Sequence, residues 1–291
     1  MLNFPKFSAL LSDLCKAKTR QVFQMSTGYG FKLYSAKGRT GKQTYAFRKG
    51  KLPTSPLIVC HADTVVKGGD GPHDFSYDPL THKAVSIALD DRLGIACMFY
   101  GIKNKSFLRD CAMLICDDEE IGNSSAQVFT QDIAPNFLVE LDRRGTDVVC
   151  YQYDSALLRS LIESVGFRVG SGSFSDICYL ENFGVVGFNV GVGYHREHST
   201  ECHAVLTDTD SQLTKLGLFF DRFSGTRLAY DGGYDSYDYY DSYGIGKPSK
   251  RGKGSSKYWP YTDDVITGAK ADEFIDWESD SVFKDWNRRM F

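Results

Sequence analysis

Short apolar runs that end in acids or histidine set the pattern of this chain. Residues 6–17 carry Phe7, Leu10, Leu11 and Leu14 at helical spacing, which predicts an opening amphipathic helix. YGFKLYSAKG and KQTYAFRKG then alternate around a Gly-Arg-Thr-Gly turn, the pattern of a hairpin. Three largely apolar runs follow, at 56–60 (PLIVC), 111–116 (CAMLIC) and 137–141 (FLVEL). Runs of that length without alternation suit strands buried on both faces of a parallel sheet. They terminate in His61-Ala62-Asp63, in Asp117-Asp118-Glu119-Glu120 and in Asp142-Arg143-Arg144. Between the first two, a Gly-, Pro- and Asp-rich stretch over 67–82 predicts a loop, and 84–89 leads into a helix headed by Asp90-Asp91-Arg92-Leu93-Gly94. Helices are expected from Ser124 or Ser125, over 154–165, briefly over 176–180 and over 208–222, with a further strand over 185–192. These elements make residues 1–229 an α/β domain, a three-layer sandwich with a mostly parallel central sheet flanked by helices.

After Tyr230 the composition changes. YDGGYDSYDYYDSYGIG has almost no aliphatic residues and KPSKRGKGSSK is basic, so 230–258 reads as a low-complexity linker unable to bury enough apolar surface to order itself. Residues 259–291 end in Phe274, Ile275, Trp277, Phe283, Trp286 and Phe291 among charges, a segment suited to docking on the domain or binding a protein partner.

A net charge of -3 over 291 residues gives no electrostatic reason to expect nucleic acid or an anionic membrane as partner. No run approaches eighteen apolar residues, and the start lacks the pattern of a cleaved leader. Most of the eight cysteines sit in apolar runs and none forms a CxxC pair, which points to buried free thiols in a reducing cytosol. Gly-Ser-Gly-Ser at 170–173 has the look of a phosphate cradle but lacks the lysine of a nucleotide-binding loop.

In open α/β sheets, ligands bind beyond the carboxyl ends of the strands. That is where this chain delivers His61, Glu120 and Asp142, with Asp90 starting a helix at the same edge and His198 arriving late. Imidazole and carboxylate donors suit zinc, and two ions a few ångströms apart need one bridging carboxylate. Asp63, two residues after His61, is placed to accept the spare imidazole N–H. Glu119 and Glu120 are adjacent and cannot both point the same way, so one can ligate while the other serves as general base.

The ordered set HxD, DDRxG, DEExG, a strand ending in Asp and a late His resembles the co-catalytic dizinc exopeptidases. Their branches include glutamate carboxypeptidase and peptidase T, the tetrahedral aminopeptidases and the bacterial leucyl aminopeptidases. The resemblance spans about residues 55–222. It implies one zinc on His61, Asp142 and Asp90, a second on Glu120, His198 and the same Asp90, with Glu119 as general base, Asp63 in support and a cis bond after Asp90. Cobalt or manganese could occupy the same ligands. For the last ligand, His195 and His203 also lie nearby, but Tyr194-His195-Arg196-Glu197-His198-Ser199-Thr200-Glu201 matches the late motif with His198 as ligand and one extra residue. Tyr194, His195 and Arg196 are then the candidates for touching substrate.

The chain departs from the branches that insert a lid and dimerisation domain between the fourth and fifth ligands, since only residues 143–197 intervene here. It departs equally from those with a small domain after the first histidine, since only 62–89 separate His61 from Asp90. A lid-less, monomeric core is expected. The implied activity is hydrolysis of the terminal amide bond of a short peptide, aminopeptidase or carboxypeptidase in type, by a hydroxide between two zinc ions. Two other readings remain open: an N-acyl amino acid deacylase using the same site, and a non-catalytic metal-binding interaction domain.

Overall fold

A computed structural model of the chain describes residues 1–230, apart from 39–40, 53, 66–70 and 105. The expectations for 231–291 lie outside the described residues, as do 67–70 of the anticipated loop and the two central residues of the hairpin turn. Elements follow in the order α1 (Phe4–Lys16), α2 (Thr19–Thr27), β1 (Lys32–Lys37), β2 (Lys42–Arg48), β3 (Leu57–His61), β4 (Ser76–Asp78), β5 (Lys83–Val85), α3 (Leu89–Lys103) and β6 (Ala112–Cys116). They continue with β7 (Leu138–Arg143), β8 (Val148–Val149), α4 (Ala156–Glu163), β9 (Gly187–Gly191), β10 (Tyr194–His195), β11 (His203–Val205) and α5 (Leu206–Phe223).

The main sheet has seven strands in the order β1-β2-β6-β3-β7-β9-β8. Its central four, β6, β3, β7 and β9, run parallel, and the antiparallel pairs lie toward its edges. The central strands are buried at nearly every position, which is why their sequences read as continuous apolar runs. Four short strands, in the order β10-β11-β5-β4, form a second, antiparallel sheet that carries the segment leading to His198.

Helices cover one face of the main sheet. Phe219 and Phe220 of α5 pack edge-on against Phe137, and Phe188 meets Phe219 the same way. Gly94 of α3 lies so close to β7 that a Cβ there would stand 2.0 Å from the Leu141 carbonyl oxygen. The other face is covered by two 3-10 helices, Tyr151–Tyr153 and Asp176–Phe183, whose Tyr153 and Ile177 press on Gly187. The result is the expected three-layer sandwich with one continuous core.

Local readings differ from the structure at several points, among them the short helix expected over 176–180, which is a 3-10 helix over Asp176–Phe183. The helix expected from Ser124 or Ser125 is a single 3-10 turn, Ser125–Val128, capped by the Ser124 hydroxyl. The 67–82 loop contains β4, and α2 is an element that periodicity did not disclose.

Candidate active site

Neighbouring parallel strands bring the first two candidate ligands together. Val59 of β3 pairs with Glu140 of β7. Two residues further along each strand come His61 and Asp142, the latter inside an irregularity of β7 between Glu140 and Arg143. His61 Nε2 lies 3.2 Å from Asp142 Oδ1. Cys116, the last residue of β6, pairs with His61, so the chain leaving β6 delivers Glu119 and Glu120 to the same edge.

Asp90 stands between the two halves. Its Oδ1 lies 3.5 Å from His61 Nε2, and its Oδ2 lies 3.2 Å from His198 Nε2. His198 Nε2 is also 3.1 Å from Glu120 Oε2. One carboxylate therefore turns one oxygen to each of two donor sets, His61 with Asp142 and His198 with Glu120. The peptide bond from Asp90 to Asp91 is cis, and neither residue has helical dihedrals, so the regular part of α3 begins at Arg92.

Asp91 also lies within ligand range of His61 and Asp142. Its oxygens are used elsewhere: they accept the backbone N–H of His61 at 3.3 Å and of Gly94 at 3.0 Å. Asp91 thus pins the start of α3 to the end of β3.

Hydrogen-bonding groups surround the candidate ligands. Asp63 Oδ1 is 3.3 Å from His61 Nδ1, and its two oxygens accept the backbone N–H groups of Glu119 and Glu120 at 3.2 and 3.0 Å. Around Asp142, Ser175 donates its hydroxyl to Oδ2 at 3.3 Å and Asn189 accepts the backbone N–H at 3.0 Å. The Tyr194 hydroxyl donates to the Asp142 carbonyl at 2.8 Å. Asn189 and Ser175 were not anticipated. The available signal was a lone polar residue in the otherwise apolar strand VGFNVG, and the serine that follows the Gly-Ser-Gly-Ser loop.

The sequence-based substrate candidates fall in different places. Tyr194 is buried, its hydroxyl committed to Asp142. His195, next along β10, projects to the opposite face, where its ring lies 5.7 Å from that of His203. Arg196 is exposed and paired with Glu201.

The electrostatics are those of a negative cage. Burial, with neighbouring carboxylates adding to it, pushes Glu119 up to about 8 and both Glu120 and Asp142 up to about 7. Burial also opposes ionisation of Asp90, yet hydrogen bonds from His198 and His61 outweigh it and hold this carboxyl below the usual carboxylate range. Burial disfavours a charged His61, but Asp142, Asp63 and Asp90 raise it well above an ordinary imidazole. His198 is raised to about 9, chiefly by Asp90.

The donor set fits a pair of divalent cations. Ligands bonded at about 2.0–2.1 Å in tetrahedral geometry lie about 3.3 Å from one another. The ligand pairs here stand 3.1–3.5 Å apart. Two divalent charges would also balance the carboxylates of Asp90, Glu120, Asp142 and Glu119.

No family model matches the chain, and no curated protein matches its sequence. Solved structures do. The TET aminopeptidase of a marine-sediment thaumarchaeon is 13% identical with a TM-score of 0.59, covering 77% of this chain and 98% of that one. An aminopeptidase of the archaeon Desulfurococcus kamchatkensis is 12% identical with a TM-score of 0.55, covering 76% and 96%. The aminopeptidase PepT of Bacillus cereus is 11% identical with a TM-score of 0.54, covering 75% and 98%. The fold is theirs. A zinc-dependent exopeptidase of Parabacteroides distasonis also shares it, at a TM-score of 0.50 and 13% identity. These neighbours fall within the superfamily that the ordered motif resembles. At such identities they establish the exopeptidase fold alone, and the site has to be argued from its own geometry.

Proposed function

We propose that this chain is a metal-dependent peptidase that removes the terminal residue of a short peptide, of the aminopeptidase type. The observation that carries the proposal is the division of Asp90 between two donor sets, His61 with Asp142 on one side and His198 with Glu120 on the other. Zinc is the ion these imidazole and carboxylate donors suit, and Co2+ or Mn2+ fit the same set. When bound, the pair of ions would polarise the scissile carbonyl and make a water acidic enough to attack at neutral pH.

The chain's own residues supply the rest. Glu119 is half-buried within the field of His61, Asp142, Glu120 and Asp90 and is not needed as a ligand, so it takes the proton from the attacking water and returns it to the leaving amine. Asp63 fixes the His61 ring and the Glu119–Glu120 backbone, so base and ligands keep one geometry. Ser175, Asn189 and Tyr194 do the same for Asp142.

A substrate with a free amine is favoured by the state of the neighbouring arginines. Arg143, Arg144 and Arg196, beside Asp142 and His198 in the sequence, are paired with Asp147, Glu197 and Glu201 and so are already engaged. The aminopeptidase neighbours point the same way. The lid-less, monomeric state and the cytoplasmic location carry over as part of this proposal. For the described residues, no helix is long and apolar enough to cross a membrane.

The test is a substrate screen on metal-stripped protein with zinc, cobalt or manganese restored. Free-amine di- and tripeptides are expected to turn over, and chelation to stop them. Turnover confined to N-acyl amino acids would make the chain a deacylase. Two ions bound with no turnover of any substrate would make it a non-catalytic binding domain.

A further inference from the structure

The ligands are unequally supported. His61, Asp90, Glu120 and Asp142 have side chains no more than 10% exposed, whereas His198 is 47% exposed. It sits in a turn between β10 and β11 where Arg196 and His198 both take positive φ, at 57° and 58°. That conformation costs free energy in residues with a Cβ, so contacts around the turn must hold it.

The chain leading into the turn is stitched to the segment after β7. Val192 N–H donates to the Arg143 carbonyl, Gly193 N–H to Gly145 and Gly145 N–H to Tyr194, at 2.7–2.9 Å. Beyond Tyr194 the turn closes on itself. The Ser199 hydroxyl donates to the Arg196 carbonyl at 2.7 Å, Arg196 pairs with Glu201, and Cys202 N–H donates to the Ser199 carbonyl at 3.1 Å. Among the described residues, the ion pair of Arg144 with Glu197 reaches from this turn back to the Asp142 side. Arg144 is two residues after Asp142, and Glu197 immediately precedes His198. Arg144 is 57% exposed but Glu197 only 20%, so on its carboxylate side this pair is better shielded than that of Arg196 with Glu201, both of which are more than 60% exposed.

We infer that the Arg144–Glu197 pair is a clasp that holds His198 in place and thereby sets the cation affinity of the His198–Glu120 half of the site. The inference rests on the proposed paired-cation reading. Arg144 and Glu197 are positioning residues in this scheme, acting through His198 rather than on substrate. The His61–Asp142 half is built on the central strands and does not depend on the clasp.

The test is calorimetric titration of Zn2+ into the metal-stripped full chain, comparing wild type with Glu197→Gln, Arg144→Gln, both together, and the exchanged pair Arg144→Glu with Glu197→Arg. Wild type is expected to bind two equivalents. Each single variant should weaken one equivalent about tenfold and leave the other unchanged. The double variant should lose no more than either single one, and the exchanged pair should recover most of the loss. Thermal unfolding of the stripped variants should match wild type, which separates loss of the clasp from general loosening. Wild-type affinity in the single variants, equal weakening of both equivalents, or additive losses in the double variant would overturn the clasp. A wild-type chain that binds fewer than two ions would overturn the paired-cation reading, and the clasp with it.

Discussion

Asp63 and Glu120 meet through the backbone. Asp63 Oδ2 accepts the Glu120 N–H at 3.0 Å while Oδ1 lies 3.3 Å from His61 Nδ1. A ligand on β3 and a ligand after β6 are thereby referred to one carboxylate, although neither donor set contains it. Replacing Asp63 by Asn keeps the volume but turns one oxygen into a donor facing N–H groups. Asp63→Asn is expected to weaken both zinc equivalents about 10- to 100-fold, read by competition with a chromophoric chelator. Unchanged affinity would reduce Asp63 to a loop anchor.

Glu119 is the group whose removal should separate binding from chemistry. Glu119→Gln retains the shape and hydrogen-bonding reach of the side chain but cannot take up a proton. Metal content by elemental analysis should stay at the wild-type value, while kcat on a cleaved dipeptide falls by about 10²- to 10⁴-fold. Activity within a few fold of wild type would remove Glu119 from the base role.

The parts legible in the sequence are those in which one residue pattern has one physical solution. The strands β3 and β6 are buried on both faces and read as bare apolar runs, β7 differs only by the buried Glu140 within its apolar part, and the polar groups that end all three mark the edge of the candidate site. The breadth of the sandwich followed from those runs. By contrast, α2 holds Val22, Phe23 and Met25 in the core, but nine mixed residues carry too little periodicity to announce a helix. The three-residue strands β4 and β5 exist because β11 pairs with β5, a contact between distant segments. The shell around Asp142 was hidden for the same reason: Asn189, Ser175 and Tyr194 acquire their role only when β9, β10 and the 3-10 helix converge on β7.

Removing the metal should reverse the pH dependence of stability at the site. In stripped protein, burial raises Glu119 from 4.5 to about 8 and Asp142 from 3.8 to about 7. The native state then keeps protons that the unfolded chain has released. Stability from these groups is complete below their unfolded values and is lost as pH rises toward 7–8. His198, raised from 6.5 to about 9 by Asp90, acts with the same sign, because its contribution is present below 6.5 and lost on approach to 9. Asp63 and Asp90 are lowered and act with the opposite sign, but at pH values below 3.8. The melting temperature of stripped protein should therefore fall between about pH 5 and 8. The increment produced by added zinc should grow over the same range, as protons cease to compete for the ligands. A stripped protein that gains stability over this interval would show the carboxylates ionised without any cation to balance them.

The contact between α3 and β7 is the last point at which site and fold can be tested together. A Cβ at Gly94 would stand 2.0 Å from the Leu141 carbonyl oxygen and 2.3 Å from Asp91 Oδ1. Both neighbours are fixed, the first as strand backbone and the second by its hydrogen bonds to His61 and Gly94. Relief therefore requires the helix to move off the strand, carrying Asp90 away from His61 and His198. Gly94→Ala is expected to cost about 3 kcal/mol in denaturant unfolding and to weaken zinc binding as well. At Gly225 no atom lies within 4 Å of the same added carbon, and Gly225→Ala should change stability by less than about 0.5 kcal/mol. Equal stability of the two variants would mean that α3 is free to shift, and that the placement of Asp90 between the two donor sets does not depend on how closely this helix approaches β7.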